Sequence, residues 1–167
     1  MLRARILGFV TALAAVLVLG VSGTFAGTPI SHTDTGLDLE LPDGWTGRGG
    51  DVLSVKNDEE TAFIYFWGSD YSDPEAAAKN IEAELASFLE GVKRKGKVEK
   101  TDVNGRAAAN AKGTAKIGDF SVVWNATVIK AEKERVAIVL GFADKDTWKT
   151  EKANFDAVVS SVKLGAE

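Results

Sequence analysis

The sequence predicts an α+β fold: an α/β/α sandwich with a mostly antiparallel six- or seven-stranded sheet and a helix on each face. Three observations predict it. Ala62–Trp67 and Val136–Phe142 are apolar at nearly every position, so each reads as a central strand covered on both sides. Two other stretches, one from Asp73 and one from about Thr147, repeat apolar residues at steps of three and four, the period of a helix with one buried stripe. Asn104-Gly105 and Gly118-Asp119 are hairpin signals, and hairpins impose antiparallel pairing.

The elements follow in order. Arg3 and Arg5 precede an apolar run from Ile6 to Val21, and small residues follow as far as Thr24-Phe25-Ala26. A positive start, a short apolar run and small residues describe a secretory signal peptide over 1–26, with cleavage after Ala26 and a retained anchor as the alternative. Residues 27–35 are polar and aperiodic and read as a flexible leader; 36–164 read as one domain. Leu37, Leu39 and Leu41 alternate with Asp38 and Glu40, a strand with one wet face. Pro42-Asp43-Gly44 turns the chain towards Trp45. Val52–Lys56 and Thr61–Trp67 are the next strands. Asp73 with Pro74 is a helix start, and Ala77, Ile81, Leu85, Phe88 and Val92 predict one stripe on a helix of about 19 residues. Strands at 97–102, 106–117, 120–131 and 135–143 follow, with turns at Asn104-Gly105, Gly118-Asp119 and 132–134. Trp148, Phe155, Val158, Val159 and Val162 face the core from the last helix.

Composition excludes several function classes. The chain has 167 residues, no cysteine and one histidine, so disulfide scaffolds, Cys-based zinc sites and cysteine nucleophiles are ruled out. Its formal charge is −4, and without residues 1–26 it becomes −6. That balance argues against a nucleic-acid footprint and against general adhesion to anionic lipid. The remaining length can bury a full core without staples.

Three segments resemble the PsbP-like and DcrB-like (Mog-type) group of α/β/α sandwich proteins. They are the opening TGLDLELPDGW, the closing FDAVVSSVKL and the intervening block from Asn104 to Ala143. The resemblance spans roughly residues 35–164. It implies the sandwich fold, and company that includes extrinsic photosystem subunits, Ran-binding Mog-type proteins, mycobacterial LpqN-type proteins and exported bacterial proteins of unassigned role. The better understood members are binders and adaptors. Some photosystem members bind metal through histidine; the histidine here, His32, lies in the expected leader, so that trait does not carry over.

The residues that could carry chemistry each have a plainer reading. His32 has no sequence neighbour with which to form a metal site and reads as solvated. Ser54 with Lys56, and Ser160 or Ser161 with Lys163, would need a buried lysine to act as nucleophile and base. The acids at 58–60, 70–75 and 144–146 read as a turn and two helix starts, where carboxylates meet the helix dipole. GRGGD at 47–51 lacks the spacing of a phosphate loop and reads as a flexible, function-bearing loop. Ala107, Ala109, Ala111, Gly113 and Ala115 share one strand face, which either lets a helix approach closely or leaves a shallow apolar groove.

These readings lead to an exported protein, periplasmic or extracellular, that is not an enzyme and uses no cofactor and no metal. It binds or adapts through a protein partner in the cell envelope. The candidate surface is the loop-proximal aromatics Trp45, Trp67 and Tyr71, because aromatic side chains offer contact area with little entropy. The alternatives are a periplasmic carrier of a small apolar ligand or lipid beneath the alanine-glycine strand, and a hydrolase working by carboxylates alone.

Overall fold

The alternating leucines at 37–41 form the strand they predict, and two further strands flank it. The computed structural model describes residues 27–48, 51–132 and 134–164. The expected signal peptide, Gly49 and Gly50 of the glycine loop, and Lys133 of the last turn lie outside the described residues. The chain runs β1 (Thr28–His32), β2 (Leu37–Leu41), β3 (Trp45–Arg48), β4 (Val52–Asn57), β5 (Ala62–Ser69), α1 (Pro74–Leu85), β6 (Glu90–Arg94), β7 (Glu99–Val103), β8 (Arg106–Ile117), β9 (Phe120–Lys130), β10 (Val136–Ala143), α2 (Lys145–Ser161) and β11 (Lys163–Leu164).

The main sheet has eight strands among the described residues, ordered β3-β4-β5-β10-β9-β8-β6, with β7 also on β8. Every pairing in it is antiparallel. One strand beyond the expected six or seven arises because β6 and β7 share one edge of β8, end to end. A second sheet, β1-β2-β11, packs over the α2 side. Helix α1 lies on one face of the main sheet, against β8 and β9; α2 lies on the other, against β9, β10 and β5. The mixed α+β sandwich is therefore the observed architecture.

Two cores result. The α2 side joins Leu37, Leu39 and Leu41 to Leu53, Ile64, Phe66, Val139, Phe155 and Val158. The α1 side joins Ala77, Ile81 and Leu85 to Trp124, Val128, Ile138 and Leu140. Both helices start as the sequence predicts. Asp73 accepts hydrogen bonds from the Glu75 and Ala76 amides, at 3.1 and 3.2 Å, with Pro74 next. Asp144 accepts from the Asp146 and Thr147 amides, at 2.9 and 3.1 Å.

Three expectations are corrected. Residues 27–35 are not a flexible leader: Thr28–His32 pair with Leu41–Leu37 as β1. Most of the segment is exposed at the edge of β2, and only His32 and Thr35 bury polar groups, so composition hid the strand. His32 is 3% exposed rather than solvated; its Nδ1 lies 3.0 Å from Thr35 Oγ1 and its Nε2 3.0 Å from the Asp51 carbonyl. A carbonyl only accepts, so Nε2 donates there. Arg135 pairs with Asp34 in the turn after β1, and its Nε lies 3.0 Å from Asp70 Oδ1 without hydrogen-bond geometry. The first helix ends at Leu85, not near Val92. Ser87 Oγ donates to the Glu84 carbonyl at 2.7 Å, Gly91 takes φ 56°, and Glu90–Arg94 pairs with β8 instead. Edge pairing with a long strand outweighs the continued helical period.

The small-residue face of β8 takes the helix. Ala109, Ala111 and Ala115 are at most 4% exposed in the α1-side core, whereas Ala107 is exposed at the start of the strand. Gly113 is the tightest point. A Cβ there would meet the Lys93 carbonyl and sit 2.5 Å from Trp124 Cζ2. Gly113→Ala is therefore expected to destabilise by about 1–3 kcal/mol, read as a lowered urea midpoint at unchanged slope. A midpoint equal to wild type would mean that β6 and Trp124 do not close on this residue.

Helix α1 is also tied to β7 by charge. Glu75 lies 2.7 Å from both Lys79 Nζ and Lys100 Nζ. Its carboxyl is lowered from 4.5 to about 2, first by the hydrogen bond from Lys100 and then by that from Lys79. A depressed carboxylate stabilises the fold above its unfolded pKa and loses that effect as pH falls through its folded pKa. The tie should thus be complete above about pH 4.5 and lost near pH 2. A carbon-detected NMR titration of Glu75 should show a midpoint near 2, moving upward in Lys100→Ala. A wild-type midpoint at the ordinary value would exclude the pairing.

Candidate functional site

The two helices cover different parts of the sheet, so each face keeps an open region. On the α1 face the open region lies over β5 and β4. Strand β5 alternates: Ala62, Ile64 and Phe66 point into the α2-side core, and Phe63, Tyr65 and Trp67 lie half-buried on the α1 side. The expectation that this strand is covered on both faces holds only in part, because the small side chains of β8 draw α1 away from it.

The rings on this surface stack. Phe142 of β10 lies 5.5 Å from Phe63 and 5.5 Å from Tyr65, nearly parallel to each. Phe88, just past α1, tilts over Tyr65 at 6.4 Å. Beside them is a depression of about 490 Å³ lined by Val52, Tyr65, Trp67, Glu84, Ser87 and Phe88. Phe88 is 52% exposed and Val52 49%, so the rim is apolar and wet. Glu84 accepts from Trp67 Nε1 at 3.4 Å and Ser69 Oγ at 3.3 Å, which fixes its carboxylate at the edge of the depression.

The three aromatics expected to form one surface separate. Trp67 and Tyr71 meet the same flank of α1: Trp67 bonds Glu84, and Asn80 Nδ2, one turn earlier, donates to Tyr71 Oη at 3.0 Å. Trp45 is not with them. It is 8% exposed and belongs to the α2-side core. The Pro42–Gly44 turn brings β3 back beside β4 with Trp45 facing the leucines of β2, and Gly47, on the same face, lies against Ile30, Leu41 and Leu53. Sequence reasoning missed Val52, Phe88 and Glu84. Val52 was visible as the start of a strand, but Phe88 was assigned to the buried stripe of a helix that ends before it.

On the α2 face the open region lies over β7, β8 and β9. It is a cleft of about 420 Å³ whose lining is largely polar, including Asn110, Lys112, Asn125 and Thr127 from the sheet and Phe155 and Val159 from α2. No single segment announced it, because its groups come from four elements.

Other candidates fall into structural roles. The groove that the alanine-glycine strand could have opened is filled by α1 among the described residues. Lys56 pairs with Glu60, and Lys163 Nζ lies 3.2 Å from Glu40 Oε1. Ser161 Oγ accepts from the Glu40 amide at 2.8 Å. Asp51, after the glycine loop, is held through its carbonyl by His32.

No protein-family model matches the sequence, and no curated protein matches it either. Solved structures do. The chain superposes on cyanobacterial PsbP (CyanoP) from Synechocystis sp. PCC 6803 with a TM-score of 0.63 at 17% identity, over 87% of this chain and 96% of that one. The chain has the PsbP-like fold. The same fold brings similarity to LpqN of Mycobacterium tuberculosis, described as involved in cell envelope biogenesis: TM-score 0.55, 17% identity, 84% of this chain and 91% of that one. PA94 from Pseudomonas aeruginosa, of unknown function, matches at TM-score 0.53 and 14% identity over 84% and 99%. At these identities the PsbP-like likeness is one of fold.

The two tryptophans can be told apart by stability. Trp45→Ala should cost about 3–5 kcal/mol, as for a large buried side chain. Trp67→Ala, half-exposed, should cost clearly less. Urea unfolding of both variants decides; equal losses would place Trp67 in the core.

Proposed function

We propose that this PsbP-like chain is an exported, non-enzymatic binding or adaptor protein. It takes a protein partner at the Val52–Trp67–Phe88 depression. The observation that carries the reading is the exposure of Phe88 and Val52 beside a stacked aromatic row. Large apolar side chains grouped at the surface mark interaction sites more often than they mark chance. A rigid aromatic floor with exposed apolar groups and one carboxylate at its edge offers a protein partner both contact area and charge. Glu84 supplies the charge: the partner segment presents an apolar or aromatic side chain next to a lysine or arginine. The charged groups at element ends support a non-catalytic role, since Asp73, Asp144 and Glu75 are engaged in helix caps and ion pairs.

Export rests on the signal-like segment 1–26 and accords with the description of LpqN as involved in cell envelope biogenesis. No helix among the described residues is long and apolar enough to cross a membrane. A photo-crosslinking residue at position 88, in the full chain expressed in its native envelope, should give one major protein adduct. That adduct should vanish when Glu84→Lys is added, while circular dichroism stays unchanged. No adduct from position 88, or the same adduct from a control at exposed position 149 on α2, would overturn the reading.

A further inference from the structure

The cleft on the α2 face has its own chemistry, and we infer that it is a binding site for the carboxyl-terminal end of a peptide. It lies on the other face of the sheet from Phe88 and does not rest on the reading above. The strand register builds its floor. Glu99, Asn110 and Thr127 form one row across β7, β8 and β9, and Lys112 pairs with Asn125 in the next.

Several of these floor groups lack partners. Asn110 Oδ1 is buried with no hydrogen bond among the described residues. Thr127 is 3% exposed and lines the cleft beside it. Lys97, Glu99 and Lys112 make no ion pair among the described residues. The wall groups, by contrast, are already engaged. Lys152 pairs with Asp156, Asp102 Oδ1 accepts from the Gly105 amide at 2.7 Å, and Asn104 Nδ2 donates to the carbonyls of Ser160 and Val162 at 2.7 and 2.8 Å. The site therefore has a fixed wall and, in its floor, one buried acceptor without a partner beside three exposed charges that make no ion pair among the described residues.

Buried polar groups without partners are costly, and a ligand that supplies partners relieves that cost. A carboxamide offers one acceptor and two donors, the complement of a peptide unit. The Asn110 amide makes no side-chain hydrogen bond among the described residues, so its polar atoms are left for a ligand. Asn110 and Asn125, diagonal neighbours on adjacent strands, suit a peptide unit. Lys112 and Lys97 then meet the terminal carboxylate, and Glu99 accepts an N–H. A neutral polyol would leave both ammonium groups unpaired, and an inorganic anion would leave the amides so. The volume, about 420 Å³, lies in the ~300–1,000 Å³ range of small-ligand sites.

The test is a titration of the ¹⁵N-labelled full chain with N-acetyl-trialanine, its C-terminal carboxamide, and maltotriose, followed by proton–nitrogen correlation spectra. The acid should shift the side-chain amide signals of Asn110 and Asn125. The carboxamide should bind about tenfold more weakly, as should the acid to Lys112→Ala. Lys112 is exposed, so this variant keeps the fold and decides the matter even if Asn110→Leu does not fold. Unmoved amide signals in millimolar peptide, equal affinity for acid and carboxamide, or shifts by maltotriose in place of the peptide would each overturn the proposal.

Discussion

Where α1 rests is set by the small side chains on one face of β8, and much of the molecule depends on that placement. Ala109, Ala111 and Ala115 leave room for the helix, and Gly113 leaves room for β6 and for Trp124, which donates to the Thr114 carbonyl at 3.1 Å. Larger residues there would push α1 off the sheet. Seated over β8 and β9, it leaves the aromatic row of β5 half uncovered. On the other face α2 is drawn the opposite way, towards β10 and the leucines of β2. The two open regions are thus the remainder of two well-packed halves. One is apolar because β5 is apolar on both faces; the other is polar because the α2 face of β8 carries Asn110 and Lys112.

The second sheet has a different logic. Strand β2 is a short leucine strand that could not stand alone, and two-stranded pieces are marginal in water. It is completed by β1 before it in sequence and by β11 far after it. His32 and Arg135 fasten that assembly to the main body, one through the Asp51 carbonyl and an edge-on contact with Phe66 at 4.9 Å, the other through Asp34.

Much of this was legible in the sequence. Period-two leucines, Asn-Gly and Gly-Asp turns, and Asp caps followed by proline or acid are local signals, and the elements they mark are present. What failed was decided at long range. The polar segment 28–32 becomes a strand only because β2 has a free edge. Phe88 and Val92 keep a helical period that loses to pairing with β8. Trp45 and Trp67 look alike in sequence, each beside a turn, yet strand register puts one in the core and the other on the surface. The polar cleft was illegible for the same reason: Glu99, Asn110 and Thr127 are neighbours only through the alignment of three strands.

Strand β2 also has a mechanical consequence. Both β1 and β11 run antiparallel to it, with Thr28 level with Leu41 and Leu164 level with Leu37. Tension applied at residues 28 and 164 pulls these flanking strands in opposite directions along the β2 axis. The inter-strand hydrogen bonds are then sheared together rather than peeled one at a time. A chain tethered at one end and loaded at the other would resist extension first at its smallest sheet.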